Sequence, residues 1–193
     1  NGVDIAGATG SSYTLGDADV GATIAVVASY TDGQGTNESV ASAGVGPVAN
    51  VNDAPTTSPV TLVAIGEDSG ARTITQAELL ANASDIEGDS LTATGLAISA
   101  GNGTLLDNGD GSWNYTPAAD DDTSVSFTYT ITDGTDTVAG SATLDITPVN
   151  DAPTTSPVTL AAIGEYSITR LIPQSKLLPN TKHIQSDSLT ATG

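Results

Sequence analysis

The segment Asn52–Leu62 (NDAPTTSPVTL) occurs a second time, unchanged, at Asn150–Leu160. The likeness continues without a gap, so that 30 of 44 positions agree between residues 52–95 and 150–193, a displacement of 98. A period near ~100 residues is one β-sandwich domain per repeat, strung as beads rather than stacked as a solenoid. The boundaries fall at the two Asn-Asp-Ala-Pro segments, where proline stiffens the linker and ends strand pairing. Three parts are therefore expected. Residues 1–49 are the C-terminal half of one domain, 50–149 a complete domain, and 150–193 the N-terminal part of a degenerate third. The opening Asn1-Gly2 enters in mid-pattern, as an excised piece of something longer would.

Composition narrows how such domains can be built. The 193 residues include no Cys, no Met, one Trp, one Phe and five Tyr. A core must then be assembled from Val, Ile, Leu and Ala on narrow β faces, while the abundant Gly, Ser, Thr, Asn and Asp suit short strands and tight turns. Without disulfides, small domains outside a cell need another staple, and a metal ion can serve. No apolar run approaches the ~20 residues that span a bilayer.

Charge is distributed unevenly. Residues 1–150 hold twenty carboxylates and one cation, Arg72, whereas residues 151–193 balance three acids against Arg170, Lys176 and Lys182. An acidic surface of this kind repels nucleic acid and anionic membranes, which excludes both as partners. Two readings of the acidity fit: solubility or halophilic adaptation, and divalent-cation binding. Where the acids sit separates them.

Within the complete domain, period-two alternation marks the strands. Ser124–Thr132 places Val125, Phe127, Tyr129 and Ile131 on one face, and Thr137–Ile146 does the same with Val138, Ala142, Leu144 and Ile146. The turn Asp133–Asp136 joins them in a long antiparallel hairpin. A smaller hairpin turns at Asp107–Gly111, between Leu105-Leu106 and Trp113–Tyr115. Further strands are expected near Val60–Ile65, Ala71–Ile74 and Leu91–Ser99. Thr75-Gln76-Ala77-Glu78 is a capping box that opens a short helix carrying Leu79 and Leu80. In the degenerate repeat Lys176 replaces Glu78, and Pro173 and Pro179 are expected to break that helix. Alternation also marks Thr23–Tyr30 and Ser39–Val48 around the loop Thr31–Gly35.

The order of motifs carries a family resemblance. A linker VNDAP (51–55) is followed by IGED (65–68), DIEGDSLT (85–92), DGSWNYTPAADD (110–121), FTYTITDG (127–134) and a second linker PVNDAP (148–153). This series resembles the cadherin-like repeats of giant bacterial adhesins and VCBS-type surface proteins. Residues 1–49, with GATGSSYTL and ASYTDGQGTNES, resemble bacterial Ig-like repeats. The resemblance implies an all-β fold of tandem antiparallel β-sandwiches, partial at both ends. It also implies an extracellular, cell-surface setting and a role in adhesion or biofilm.

Cadherin-like repeats imply Ca²⁺ held at domain junctions, and the residue types agree. Ca²⁺ takes six to eight hard oxygens at about 2.3–2.6 Å from carboxylates, Asn side chains and carbonyls. At the first junction the implied ligands are Asn50, Asn52 and Asp53 from the linker, with Asp85 and Glu87 beyond it. Asp89 alternatively stabilises the turn at Gly88. At the second junction they are Glu67, one or two of Asp120–Asp122 (Asp121 foremost), Asp133, Asn150 and Asp151. The linkers depart from the family pattern, because Asn50 and Pro148 stand where an acid is usual. The competing reading makes Asn-Asp-Ala-Pro a plain turn and Asp85–Asp89 a solvated Asx-rich loop. After the second linker, His183-Ile184-Gln185-Ser186-Asp187 replaces Asp85–Asp89, so both carboxylate ligands are lost and Lys182 adds an opposing charge. A Ca²⁺-locked first junction and a looser second one are expected.

Catalysis is not expected. His183 is the sole histidine, has no nucleophile motif beside it, and is expected on the surface. Paired acids at Asp120–Asp122 lack the aromatic cleft that glycoside hydrolysis needs, and Trp113 with Tyr115 reads as core. The chain is thus expected to be a Ca²⁺-stiffened extender whose partners are neighbouring repeats. Two other readings stay open: a module for cell-surface glycans, and a subunit of an extracellular filament completed by strand exchange between like subunits.

Overall fold

The computed structural model describes residues 2–165, 170–183 and 188–192. The chain divides into two compact units, Asn1–Asn52 and Asp53–Gly193.

In the first unit a 3₁₀ turn at Asp17–Asp19 precedes a hairpin of β1 (Val27–Thr31) and β2 (Asn37–Ala41). Pairing is antiparallel from Val27↔Ala41 to Thr31↔Asn37, and a bridge Ile24↔Val45 extends it. Asp32 shapes the turn, its Oδ1 accepting from the N–H of Gln34 at 2.9 Å and of Thr36 at 2.8 Å. Directly opposed residues share a face, so Ala28 and Tyr30 lie with Val40 and Glu38. Both strands are exposed along their whole length. The buried acid of this unit is Asp19, which accepts from Tyr13 Oη at 3.1 Å and Gly16 N at 3.0 Å.

The second unit carries β3 (Val60–Gly66), β4 (Arg72–Ile74), α1 (Gln76–Leu79), β5 (Thr92–Ala100), β6 (Thr104–Asp107), β7 (Trp113–Thr116), β8 (Val125–Thr132) and β9 (Thr137–Thr147). One sheet has the order β3-β9-β8-β5 and the other β4-β7-β6. The alternation along β8 and β9 becomes an alternation of burial: Val125, Phe127, Tyr129, Ile131, Ala142, Leu144 and Ile146 all face one core. Trp113 and Tyr115 of β7 face it from the other sheet, and the Tyr115 and Phe127 rings meet edge to face with centroids 5.5 Å apart. Each buried phenol finds a carbonyl, Tyr115 Oη donating to Asn102 O at 2.6 Å and Tyr129 Oη to Leu79 O at 2.8 Å. Buried hydroxyls require such partners. Gly140 of β9 lies over the Tyr129 ring, where a Cβ would come within 2.3 Å of a ring carbon. Pairing is antiparallel throughout this sheet except between β3 and β9, which run parallel.

Helix α1 forms as its capping box requires. Thr75 Oγ1 accepts from Glu78 N, and Glu78 Oε2 accepts from Thr75 N at 2.9 Å. Leu79 is fully buried and Leu80 packs against the core.

Residues 150–193 rebuild part of this pattern. They form β10 (Thr154–Thr155), α2 (Gln174–Leu177) and β11 (Thr181–Lys182). Thr154 pairs with Lys182 as Thr56 bridges to Ser84, 98 residues earlier. Asn180 Nδ2 donates to Pro157 O at 3.2 Å, as Asn82 does to Pro59 O at 2.8 Å. Gln174 Nε2 donates to Ala191 O at 3.3 Å, as Gln76 does to Ala93 O at 2.6 Å. The expectation that proline breaks this helix is corrected. Pro173 is the N-cap of α2 at φ −70°, and a residue without an N–H is tolerated at a helix start, where no acceptor awaits that group.

Candidate metal site

The first-junction candidates of the second unit converge through local backbone pairing. Thr56 and Ser84 exchange both backbone hydrogen bonds, at 2.8 and 2.9 Å, which lays the linker beside the loop Asp85–Asp89. Asp85 Oδ1 organises that loop, accepting from Glu87 N at 3.0 Å and Asp89 N at 3.2 Å. Gly88 turns it with φ +79°, a conformation most side chains avoid. Glu87 then reaches the linker, where its Oε2 accepts from Asp53 N at 3.4 Å. A carboxylate oxygen of Asp53 lies within 4.8 Å of one of Glu87. Asp53 and Glu87 are therefore carboxylate neighbours, and Asp85 shapes the loop that carries Glu87 to the linker.

Two oxygens of this loop stand out. Asp85 Oδ2 and Glu87 Oε1 are shielded from solvent and have no hydrogen-bond partner among the described residues. A buried carboxylate oxygen left without donors is costly. A hard cation is the kind of partner such oxygens take, so the residue types suit Ca²⁺, with flexible carboxylates and a linker rich in oxygen. Asn50 and Asn52 belong to the first unit, Asn50 exposed and Asn52 half-buried. Asp89 is exposed, and its N–H closes the Asp85 loop.

The second-junction candidates divide. Glu67 is 5% exposed, and its Oε1 accepts from Val149 N at 2.8 Å, which draws the start of the second linker onto the end of β3. Asp121 is held by Thr123 N–H at 2.9 Å and by the Asn102 amide. Hydrogen bonds from Thr123 and Asn102 keep its carboxyl below the usual range. Asn150 is exposed and Asp151 half-buried.

Asp133 does not join them. Its Oδ1 accepts from Thr135 N at 2.6 Å and Asp136 N at 2.7 Å, forming the β8–β9 turn. Thr132 there pairs with Thr137, while Glu67 N bonds Thr147 O at the far end of β9. Roughly 30 Å of strand separates the two positions. Asp133 therefore lies at the end of the domain where β5 begins, since Thr92 also pairs with Thr132.

Beyond the second linker, His183 occupies the place of Asp85. It is half-buried rather than on the surface, because the Thr154↔Lys182 pairing carries it against the linker. Its Nε2 lies 2.7 Å from Asp151 O, and since a carbonyl only accepts, the ring donates. Sequence reasoning missed this latch; the 98-residue register linking the two repeats was the signal that could have found it. Gln185 and Asp187 of that stretch lie outside the described residues.

Comparison with known proteins places this geometry. No curated protein matches the chain. Among solved structures, it is similar to the endo-fucoidan hydrolases MfFcnA4 and MfFcnA9 of glycoside hydrolase family 107. Identities are 23% and 22% at TM-scores of 0.36 and 0.32, over 72% and 64% of this chain. It spans 22% of the length of each of those enzymes. It is also similar to a chimeric titin Z1Z2, at 15% identity and a TM-score of 0.25, over 58% of this chain and 57% of that one. Residues 51–147 match the family model of the cadherin-like domain. They include both faces of the core, the Asp85–Asp89 loop and the Asp53 linker, and the chain belongs to the cadherin-like domain family.

Proposed function

We propose that this chain is a Ca²⁺-stiffened extender segment of a large, secreted bacterial surface adhesin, without catalytic activity of its own. The observation that carries the reading is that Asp85 Oδ2 and Glu87 Oε1, in one loop, are shielded and unpartnered, with Glu87 against the linker acid Asp53. Ca²⁺ supplies positive charge there. Asp53 would contribute from the linker, and Asp85 and Glu87 from the domain, so that binding ties one to the other. The three carboxylates otherwise repel, which favours a flexible linker in the absence of cation. With the cation bound, successive domains become a stiff rod. Membership of the cadherin-like family supports an extracellular location.

Thermal melting of the full chain tests this. Millimolar Ca²⁺ should raise the midpoint, with ~2.7 kcal/mol of added stability at 100 times the dissociation constant. Mg²⁺ should do so weakly, because it demands strict octahedral geometry. Coincident melts in Ca²⁺ and in chelator would sink the proposal, as would an undiminished shift in Asp85→Asn/Glu87→Gln.

A further inference from the structure

Two Asn-Gly pairs lie in the complete domain, Asn102-Gly103 between β5 and β6 and Asn108-Gly109 in the β6–β7 turn. An asparagine in such a pair can react with its own backbone. The following peptide nitrogen attacks the side-chain amide carbon, and glycine has no Cβ to obstruct the approach.

The fold treats the two pairs differently. In the β6–β7 turn the reacting groups are tied up. Gly109 N donates to Asp107 Oδ1 at 2.8 Å, and a carboxylate beside that N–H opposes loss of its proton. The Asn108 amide is held from both ends, donating to Ser112 Oγ at 2.9 Å and accepting from Asn114 Nδ2 at 3.0 Å.

At Asn102 the contacts favour reaction instead. The carbonyl of Asn102 and the nitrogen of Gly103 form one peptide group, and Tyr115 Oη donates to that carbonyl at 2.6 Å. When the nitrogen gives up its proton, charge spreads onto the Asn102 oxygen, where the phenol stabilises it as an oxyanion-hole donor does. Tyr115 is held in place, being 1% exposed with its ring edge to face on Phe127. The Asn102 side chain is exposed, and its Nδ2 donates to Asp121 Oδ2. Gly103 is fixed by the fold. It has φ +117°, and a Cβ there would meet Thr116 O at 2.6 Å and Tyr115 Oη at 2.7 Å.

We infer that Asn102 is a site of spontaneous deamidation, activated by Tyr115. The Gly103 nitrogen, its proton lost to water, bonds to Asn102 Cγ. The Cγ–Nδ2 bond breaks, and Nδ2 leaves as ammonia with a proton from water. Water then opens the cyclic imide at either carbonyl, leaving aspartate or isoaspartate. The product has one more negative charge and has lost the amide that Asp121 accepts from, so two carboxylates face each other where a clasp stood. The change is one-way and loosens the turn at Asp121 as the molecule ages. It needs no metal and stands independently of the Ca²⁺ reading.

Ageing the folded full chain in chelator, followed by peptide mapping by mass, tests this. Conversion at Asn102 should outrun conversion at Asn108 at least about tenfold, equivalent to ~1.4 kcal/mol of barrier, the scale of one hydrogen bond. In urea the two rates should converge. Tyr115→Phe should remove most of the difference, and because unfolding frees both pairs, the Asn108 rate in the same sample reports any loss of structure. Asn102→Asp, which copies one product, should melt below the parent. Equal rates at the two sites in the folded parent overturn the inference whatever the variants do. So does a Tyr115→Phe chain in which Asn102 keeps the parent's rate while Asn108 stays slow. An Asn102→Asp chain that melts like the parent overturns the loosening of the turn.

Discussion

Residues 52–95 and 150–193 share their polar clasps but not their interior. In both, an Asn side chain holds a proline carbonyl and a Gln side chain holds an alanine carbonyl. In the first, Val60, Leu62, Ile74 and Leu79 are buried; in the second, none of the four aligned residues is. The difference separates two kinds of information in one sequence. Identical local residues fix the path of linker, turn and short helix, because those hydrogen bonds close within about thirty residues of chain. Burial requires β8 and β9, which lie far along the chain in the complete domain. Side-chain clasps of this kind need only nearby chain, whereas the core needs distant strands.

Four perturbations would break or sharpen this contrast, and the largest concerns the core. Phe127→Ala should cost about 3–5 kcal/mol of unfolding free energy, as truncated buried aromatics do. Leu177→Ala, at an exposed position, should fall within ~0.5 kcal/mol. Urea titration gives both, and comparable losses would mean that the second repeat has a core of its own.

The next change gives the acidic loop of the first repeat the residue found at the same place in the second. Asp85→His should abolish the Ca²⁺-dependent rise in melting, up to ~2.7 kcal/mol at 100 times the dissociation constant. Stability in chelator should change little if the imidazole makes the latch that His183 makes to Asp151 O. Retention of the full Ca²⁺ shift would show that Asp85 is no ligand.

A smaller effect is expected at the helix cap. Glu78→Lys copies the residue at position 176, removes the capping box and turns the 2.7 Å pair with Arg72 into a repulsion. A loss of about 1 kcal/mol is expected. In the parent chain, burial raises the Glu78 carboxyl, but hydrogen bonds from Thr75 and the Arg72 charge outweigh it and hold the value below normal. The sign follows from linkage. This contribution is complete above the unfolded carboxyl pKa of about 4.3 and disappears as pH falls through the lower folded value. Acid melts of parent and Glu78→Gln should therefore converge at low pH. A constant gap would rule out an ionic role.

The smallest change is Lys176→Glu in α2. An acid in a first helical turn adds a few tenths of a kcal/mol at an exposed site. Helicity should rise slightly, and a gain as large as the Glu78 loss would mean that α2 is as tightly packed as α1.

How much of this was legible beforehand follows from which interactions are local. Alternation in Ser124–Thr132 and Thr137–Ile146 gave β8 and β9 with their buried faces, and the Thr75–Glu78 spacing gave α1 with its cap. Alternation assigns faces without naming neighbours, so nothing in Val60–Ile65 announced a parallel partner. Asp133 was grouped with Glu67 because a turn signal reads alike at either end of a domain. Asp53, Asp85 and Glu87 could be grouped because the linker and the Asp-x-Glu loop are brought together by one short bridge, Thr56↔Ser84. His183 looked superficial because a lone histidine carries no pattern; only its register with Asp85 gave it a place.

The parallel pairing of β3 with β9 has a mechanical consequence. β3 follows the first linker and β9 leads into the second, so tension between the linkers is delivered to these two adjacent strands. Because they run in the same direction, pulling slides one along the other. The ladder from Val60↔Ala142 to Gly66↔Thr147 is then loaded in shear, with its bonds strained together rather than opened one at a time. The irregularity between Leu62 and Ile65 divides the ladder into two blocks, and the Glu67 clasp on Val149 N reinforces the end nearer the second linker. Forced unfolding is governed by the rate of crossing the unfolding barrier. A domain held this way resists pulling at its two ends more than its equilibrium stability would suggest.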